Sequence, residues 1–133
     1  QSSDVDVNRQ AYNGMSVLHE LAKFKSDNVR EQSKWLSVMS ILHSKCVEYE
    51  IQAELGETPL HQAVKRNNVE ATRVLVNNGA NTNSLNLASE TPLHYAVRLG
   101  NKQILELLLQ NGADRYIETR GALSPLTLAK QTN

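Results

Sequence analysis

The chain has 133 residues, enough for one domain or for a few short repeats, and 40% of them are apolar while only 5% are aromatic. A core of Leu, Val, Ile and Ala in these proportions favours packed helices over a β-sandwich. Basic and acidic residues balance at 14 each, so the overall charge offers no basic excess for nucleic acid or for an anionic membrane.

Cysteine usage and hydropathy give the expected compartment. The single cysteine, Cys46, cannot form an internal disulfide, which favours a reducing environment, and we expect a buried or inert thiol there. No apolar run approaches the roughly 20 residues that a membrane helix needs. Residues 1–8 lack the apolar stretch of a signal peptide. We therefore expect an intracellular protein, cytoplasmic or nuclear, that does not insert into a membrane.

The first predicted elements form a divergent copy of a pattern that recurs further on. Residues 16–22 (SVLHELA) open a short helix, and residues 25–28 (KSDN) can cap a second helix that begins near Val29. The next opening block follows 42 residues later, nine more than the period of the later copies, which places a nine-residue insertion near residues 26–34. Cys46 falls where the later copies have glycine. A left-handed cysteine would cost about 1 kcal/mol, so we expect this helix to end differently or to continue.

The later elements repeat with a period of 33 residues. Residues 57–64 (ETPLHQAV) recur as residues 90–97 (ETPLHYAV), and residues 74–80 (VLVNNGA) recur as residues 107–113 (LLLQNGA). Each copy predicts a helix capped by threonine and begun by proline, then a tight turn, then a second helix that ends at a left-handed glycine. The opening block returns at residues 124–129 (SPLTLA) without its histidine.

The period and the T-P-L-H-x-A block resemble the ankyrin-repeat family, specifically over residues 53–132 and more loosely over residues 6–52. Neither helix of a copy reaches the ~12–15 residues at which an isolated helix becomes marginal in water, so each must pack on its neighbours. The resemblance implies an all-α solenoid of stacked antiparallel helix pairs with β-hairpin loops. We expect a domain at 6–132, made of a divergent repeat at 11–52, repeats at 53–85 and 86–118, and a truncated repeat at 119–132.

Three histidines hold one position in successive repeats, which raises the question of a metal site. Zinc needs nitrogens that converge at about 2 Å, whereas His19, His61 and His94 belong to helices that would stand roughly 8–10 Å apart. The family resemblance implies a structural histidine that hydrogen-bonds the loops together. We predict that the chain holds no metal.

Catalytic motifs are missing from the sequence, which contains no GxSxG, HExxH, P-loop or GxGxxG pattern. Glu57 and Glu90 are expected on exposed loop tips, without the desolvating partners that would tune a carboxylate for acid–base work. We predict a protein that is not an enzyme, with no catalytic residue, no cofactor and no small-molecule substrate.

A partner surface follows from the resemblance, because ankyrin partners usually meet the concave face built from hairpin tips and first helices. Carried over position by position, this face comprises Tyr12, Met15, Lys23, Phe24, Leu55, Glu57, Lys65, Arg66, Leu87, Glu90, Arg98, Leu99 and Arg120. Lys23, Lys65 and Arg98 share one position, and two readings of it stay open. These cations bind a partner, or they complement the macrodipoles of their helices. We expect a protein or peptide partner of mixed apolar and acidic character.

The insertion offers an alternative partner surface around Val29 and Trp35. Either the second helix is simply longer, with Trp35 packing over the open end of the stack, or the insertion itself contacts a partner. The function that we expect is a protein-interaction module, part of a larger scaffold or adaptor. The alternatives are a regulatory domain that docks on an enzyme domain elsewhere in the full-length chain, and a stand-alone inhibitor of a kinase or transcription factor.

Overall fold

A computed structural model describes residues 6–25 and 27–131. Ser26, at the start of the predicted insertion, and Thr132, at the end of the predicted domain, lie outside the described residues. The described residues contain helices and no strand, as an all-α class requires. A single 3₁₀ turn spans Glu54–Gly56. The α-helices are α1 (Val17–Lys23), α2 (Val29–Ser44), α3 (Pro59–Lys65), α4 (Val69–Asn77), α5 (Pro92–Leu99), α6 (Lys102–Gln110) and α7 (Pro125–Gln131).

The helices start at capping residues, of which the sequence predicted the threonine before α3 and a cap within residues 25–28 before α2. Ser16 and Thr58 begin α1 and α3, and each hydroxyl accepts the backbone N–H three residues on, at 3.4 and 3.3 Å. Asn28, Asn68 and Asn101 begin α2, α4 and α6, and each side chain accepts a backbone N–H two or three residues on, at 2.9, 3.2 and 3.2 Å. These bonds pair donors that a helix start leaves free. The prediction that α2 begins near Val29 is confirmed.

The second helices all end in the same left-handed step, with cysteine in place of glycine at the end of α2. Gly79 and Gly112 have φ of 95° and 89°, and Cys46 has φ of 60°. Each left-handed residue donates its N–H to the carbonyl three residues back, and the next N–H bonds to the carbonyl five residues back. The expectation that α2 ends differently or continues is therefore wrong. Cys46 adopts the left-handed conformation, and its thiol is exposed instead of buried.

The first helices pack in series, since α1 contacts α3, α3 contacts α5, and α5 contacts α7. Helices α4 and α6 pack on each other and on α3 and α5, respectively. Leucines and an isoleucine fill the space between them, and burial of each such side chain stabilises the fold by about 1.5–3 kcal/mol. The largest of these fully buried residues are Leu18, Leu60, Leu75, Leu93, Ile104 and Leu108. The core therefore passes from one helix pair to the next, as helices of this length require.

Helix α2 departs from this arrangement, with 16 residues where α4 and α6 have nine. Helix α4 contacts α1 more closely than it contacts α2. Helix α2 therefore does not pack on α4 in the way that α4 packs on α6. Trp35 is only 8% exposed, and its indole N–H donates to the Leu21 carbonyl at 2.9 Å. The geometry matches a longer second helix with Trp35 turned inward. We call α1 and α2 the divergent part, and α3 to α6 the regular part.

The loops between helix pairs differ in detail from the predicted β-hairpins. Within residues 6–25 and 27–131 none of them contains a strand. Each loop instead closes its tip with a backbone hydrogen bond from an N–H to the carbonyl four residues on, at 2.7 to 3.0 Å. The four donors are Ala11, Ala53, Asn86 and Thr119.

Candidate protein-binding surface

Neighbouring loop tips are joined by backbone hydrogen bonds in a constant register. The N–H of Glu54 donates to Asn13 O at 3.1 Å, that of Leu87 to Leu55 O at 2.9 Å, and that of Arg120 to Ala88 O at 3.5 Å. The donors share one loop position and the acceptors share the next. The tips therefore form a connected edge, and the side chains on it are held at a regular spacing.

Glycine permits this close approach at two of the tips. Gly14 and Gly56 have φ of 80° and 74°. A Cβ on Gly56 would lie 2.9 Å from the Leu87 backbone nitrogen, so any other residue would push the next tip away. Leu55 also has a positive φ, of 68°, a conformation that costs a leucine about 1–2 kcal/mol. Strain of this kind tends to occur at functional sites.

Apolar side chains project from the connected edge into solvent. Tyr12 is fully exposed, and Leu55 and Leu87 are each 64% exposed. Tyr12 and Leu87 occupy the same loop position, and Leu55 lies on the tip between them. Exposed apolar groups concentrated on adjacent tips are typical of a protein-contact surface.

Buried histidines connect each first helix to the following loop. The Nε2 atoms of His19, His61 and His94 lie 2.8, 2.9 and 2.8 Å from backbone carbonyls of the next loop. The accepting carbonyls belong to Glu57, Glu90 and Leu123. Every one of these histidines is completely buried. The geometry matches the structural role that the family resemblance implied.

The other ring nitrogen fixes the protonation state of these histidines. Each Nδ1 accepts the backbone N–H of the helix-capping residue, at 3.1, 3.2 and 3.0 Å from Ser16, Thr58 and Thr91. Because a backbone N–H can only donate, Nδ1 carries no proton and Nε2 donates to the carbonyl. Burial lowers the pKa of all three rings below the ordinary 6.5, although the carbonyls they bond partly oppose the shift. They are therefore neutral hydrogen-bond donors.

Glu57 is buried, contrary to the exposed loop-tip position expected for it. Its side chain is 4% exposed, and it accepts hydrogen bonds from the Tyr95 hydroxyl and, at 2.6 Å, from the Gln62 amide. Asn86 donates to the same Tyr95 hydroxyl at 2.8 Å. Burial, together with the Glu57 carboxylate, raises the pKa of Tyr95. These side chains form a polar cluster that joins α3, α5 and the loop before α5.

The cations that share one helix position are each paired with a carboxylate. Lys23 lies 3.6 Å from Glu20, and Lys65 lies 3.9 Å from Glu57. Arg98 donates to Glu90, and its guanidinium carbon lies 5.8 Å from the centre of the Tyr95 ring. Burial alone would raise the pKa of Glu90, but hydrogen bonds from Arg98 and Asn86 outweigh it and lower that pKa. Glu90 is half-buried and ion-paired, so the expectation of a free, exposed carboxylate is wrong there too.

The family model for ankyrin repeats, in three copies, matches residues 32–119, well over half of the chain. The chain belongs to the ankyrin-repeat family. Ankyrin repeats are protein–protein interaction modules and are not catalytic. The match begins inside α2, so the extents given above for the divergent and the last repeat stay predictions. No curated protein matches the chain.

The remaining residues predicted for the ankyrin concave face do not all gather at the tips. Met15 is half-buried, and Arg66, Leu99 and Arg120 are exposed. Phe24 lies at the end of α1 that is far from the loop tips. There it lines a cavity with Trp35, and Val29 is exposed nearby at the start of α2. The predicted set therefore divides into residues at or near the tips and residues at the far ends of the first helices, where Phe24, Arg66 and Leu99 lie.

Sequence reasoning missed Tyr95, Asn86 and Gln62. In an ankyrin first helix, the position after the histidine lies three residues before the shared cation, and residues three apart lie on the same helix face. Gln62 and Tyr95 hold that position, so the signal was present in the spacing. Asn86 gave no such signal, since its role depends on where the loop folds.

Residues 6–25 and 27–131 contain neither a metal-binding cluster nor a membrane-spanning helix. No group of three or more His, Cys, Asp or Glu side chains there could hold a metal ion. None of the helices in that part of the chain is long and apolar enough to cross a bilayer.

Proposed function

We propose that the chain serves as the protein-interaction module of a larger scaffold or adaptor, in the cytoplasm or nucleus. It binds a partner segment along the connected loop tips and the adjoining side of the first helices, without catalysing a reaction. The observation that carries this proposal is the pair of exposed leucines, Leu55 and Leu87, on neighbouring tips joined by a backbone bond. Because the tips are preorganised, a partner gains apolar contacts without first ordering the loops.

The partner that this surface fits is a segment with apolar side chains flanked by carboxylates. Leu55 and Leu87 supply the apolar contact, and the half-exposed side chains of Lys65 and Arg98 lie on the same repeats. Each of these two cations is already ion-paired with a carboxylate of this chain, so a carboxylate of the partner would join an existing ion pair. We therefore expect the apolar contacts to set the affinity and the cations to affect mainly the association rate.

The test separates binding from folding by changing only exposed residues. In the double variant Leu55→Asn, Leu87→Asn, asparagine tolerates the left-handed backbone at position 55, so stability should stay equal or rise slightly. Proteins captured from lysate by the wild-type chain are identified by mass spectrometry, and each is then titrated directly by calorimetry. We expect the double variant to bind the true partner at least about tenfold more weakly, since exposed apolar anchors dominate such contacts.

Leu85→Asn is the matched control, because Leu85 is also exposed but lies outside the tip. It should bind like the wild type. A partner that binds the folded double variant and the wild type equally would exclude the loop tips as the binding surface.

A further inference from the structure

An apolar groove of about 330 Å³ lies at the C-terminal end of the stack, between α5, α6 and α7. Its wall consists of apolar side chains from these three helices together with Arg115, which comes from the loop between α6 and α7. The loop-tip leucines proposed above as a binding surface, Leu55 and Leu87, do not line it. The groove is therefore a second candidate surface, at a different place on the molecule.

The equivalent place one repeat earlier is filled by α6. Each residue of the groove wall has a counterpart 33 positions before it, and among these counterparts Val64, Val76 and Ala96 are each at most 5% exposed. Helix α6 packs there on α4 and α5, and its Ile104 and Leu108 are completely buried. The wall of the groove thus repeats the wall of a site that holds a helix.

In the groove itself the matching side chains remain open. Leu109 is 38% exposed where its counterpart Val76 is buried, and Val97 and Ala129 are half-buried. Helix α7 begins a further repeat, and the described part of the chain places no second helix beside it. A solenoid that ends in water normally presents a polar outer face at its last repeat. An apolar face at this end is instead typical of a contact surface.

Arg115 indicates which way a helix would lie in the groove. Its counterpart 33 positions earlier, Thr82, donates its hydroxyl to the carbonyl of Asn111 at 3.2 Å, and Asn111 is the residue that ends α6. Arg115 would therefore meet the C-terminal end of a helix that lay as α6 does. A cation at that end complements the helix dipole and can donate to the free carbonyls. No described carboxylate is ion-paired with Arg115.

We infer that this groove binds an amphipathic helix of a partner protein, with the C-terminal end of that helix at Arg115. The partner helix needs about two and a half turns, since α6 has nine residues. It needs two bulky aliphatic side chains four residues apart, as Ile104 and Leu108 are on α6, because such residues share one helix face. The helices of a second copy are already packed in their own stack, so a second copy would cover the groove without filling it.

The probe is a peptide of residues 101–113 of this chain, acetylated and amidated, because α6 fills the equivalent site. It is titrated to 2 mM into the ¹⁵N-labelled chain while the backbone amide signals are followed by NMR. We expect saturable shifts at Leu105 and Leu109, with a dissociation constant below about 1 mM. The same peptide with Ile104→Asn and Leu108→Asn should bind at least about tenfold more weakly, since it loses both apolar side chains.

The direction of the bound helix is a separate readout. A nitroxide at the C-terminus of the peptide should broaden the amide signal of Arg115. One at the N-terminus should broaden that of Gly100, the counterpart of Asn67, whose side chain accepts a hydrogen bond from Asn101 at the start of α6. Arg115→Ser should weaken binding about twofold to fivefold through loss of the interaction with the helix end. The reverse broadening pattern would overturn the inference.

Variants of the chain locate the peptide and separate this groove from the loop tips. Leu109→Asn should weaken binding at least about fivefold. Ile41→Asn is the matched control, because Ile41 is an exposed residue of α2 outside the groove, and it should bind like the wild type. The double variant Leu55→Asn, Leu87→Asn should also bind the peptide like the wild type, so either surface can fail without the other. Melting curves check that all the variants are folded.

Three results would contradict a helix in this groove: no saturable shifts up to 2 mM, equal binding of the peptide with two asparagines, or equal binding by folded Leu109→Asn. Sedimentation of the chain alone tests the second copy as occupant. Self-association of the wild type that Leu109→Asn abolishes would assign the groove to another copy and overturn the inference.

Discussion

The divergent part and the regular part share one hydrogen-bond scaffold but differ in how side chains fill it. Both have a histidine that bonds to the next loop, and both end their second helices in a left-handed step. The regular part uses proline at the helix start and glycine at the helix end, whereas the divergent part has Val17 and Cys46 there. Buried backbone groups must find partners in any sequence. Side-chain volume and local strain can vary, and here the variation leaves an open recess beside α2.

The largest effect should come from acid, because the histidine bonds cross both parts. Their folded pKa values lie below the ordinary 6.5, so the folded chain binds fewer protons than the unfolded chain. The contribution of the three neutral histidines to the free energy of unfolding should be fully present above pH 6.5. It should be lost as the pH falls from there towards the folded pKa values. Each histidine contributes at most about 1.4 kcal/mol per pH unit. Urea melts between pH 7.5 and 5.0 measure this slope.

Exposed His43 provides the control for the acid experiment, since His43→Gln should leave the slope unchanged. His61→Gln removes one of the three buried rings, so it should reduce the slope by at most one proton, about 1.4 kcal/mol per pH unit. A stability that does not change below pH 6.5 would contradict the buried, neutral state assigned to the three rings.

The next effect distinguishes a buried carboxylate of the regular part from an exposed one of the divergent part. Glu57→Ala removes the acceptor of Tyr95 and Gln62, so we expect a loss of about 2 kcal/mol of unfolding free energy. Glu20→Ala removes only the exposed pair with Lys23 and should cost about 0.5 kcal/mol or less. Chemical denaturation gives both values, and equal losses would show that the cluster around Tyr95 adds no stability.

The smallest effect concerns the left-handed residue at each helix end. Gly112→Val places a β-branched residue at φ of 89° and should cost more than about 1 kcal/mol. Cys46→Gly should do the reverse and stabilise by about 0.5 kcal/mol, because relief of strain is partly offset by the greater freedom of glycine when unfolded. Gly79→Cys is the matched exchange, since no atom lies within 4 Å of its added Cβ and only backbone strain is measured. Unchanged urea midpoints would mean that the left-handed ends carry no strain.

Local chemistry explains which features could be predicted from the sequence. Capping by Asn28 and Thr58 and the left-handed Gly79 depend on a few adjacent residues, so the pattern predicted them. Burial of Glu57 depends on Tyr95, which lies 38 residues further on, and no local pattern contains that contact. The recess beside α2 depends on how far a whole helix stands from its neighbour. The sequence predicted an insertion and offered a longer second helix there, but no local pattern gives the distance of that helix from α4.

The histidine bonds also have a direction along the chain. His19 reaches a carbonyl 38 residues later, and His61 and His94 reach carbonyls 29 residues later. A ribosome releases the chain from its N-terminus, so each histidine emerges well before the carbonyl that it will bond. Chains grow by about 5–20 residues per second, which leaves the starts of α1, α3 and α5 without this bond for one or more seconds. Each nascent helix pair is therefore completed only by the loop synthesised after it.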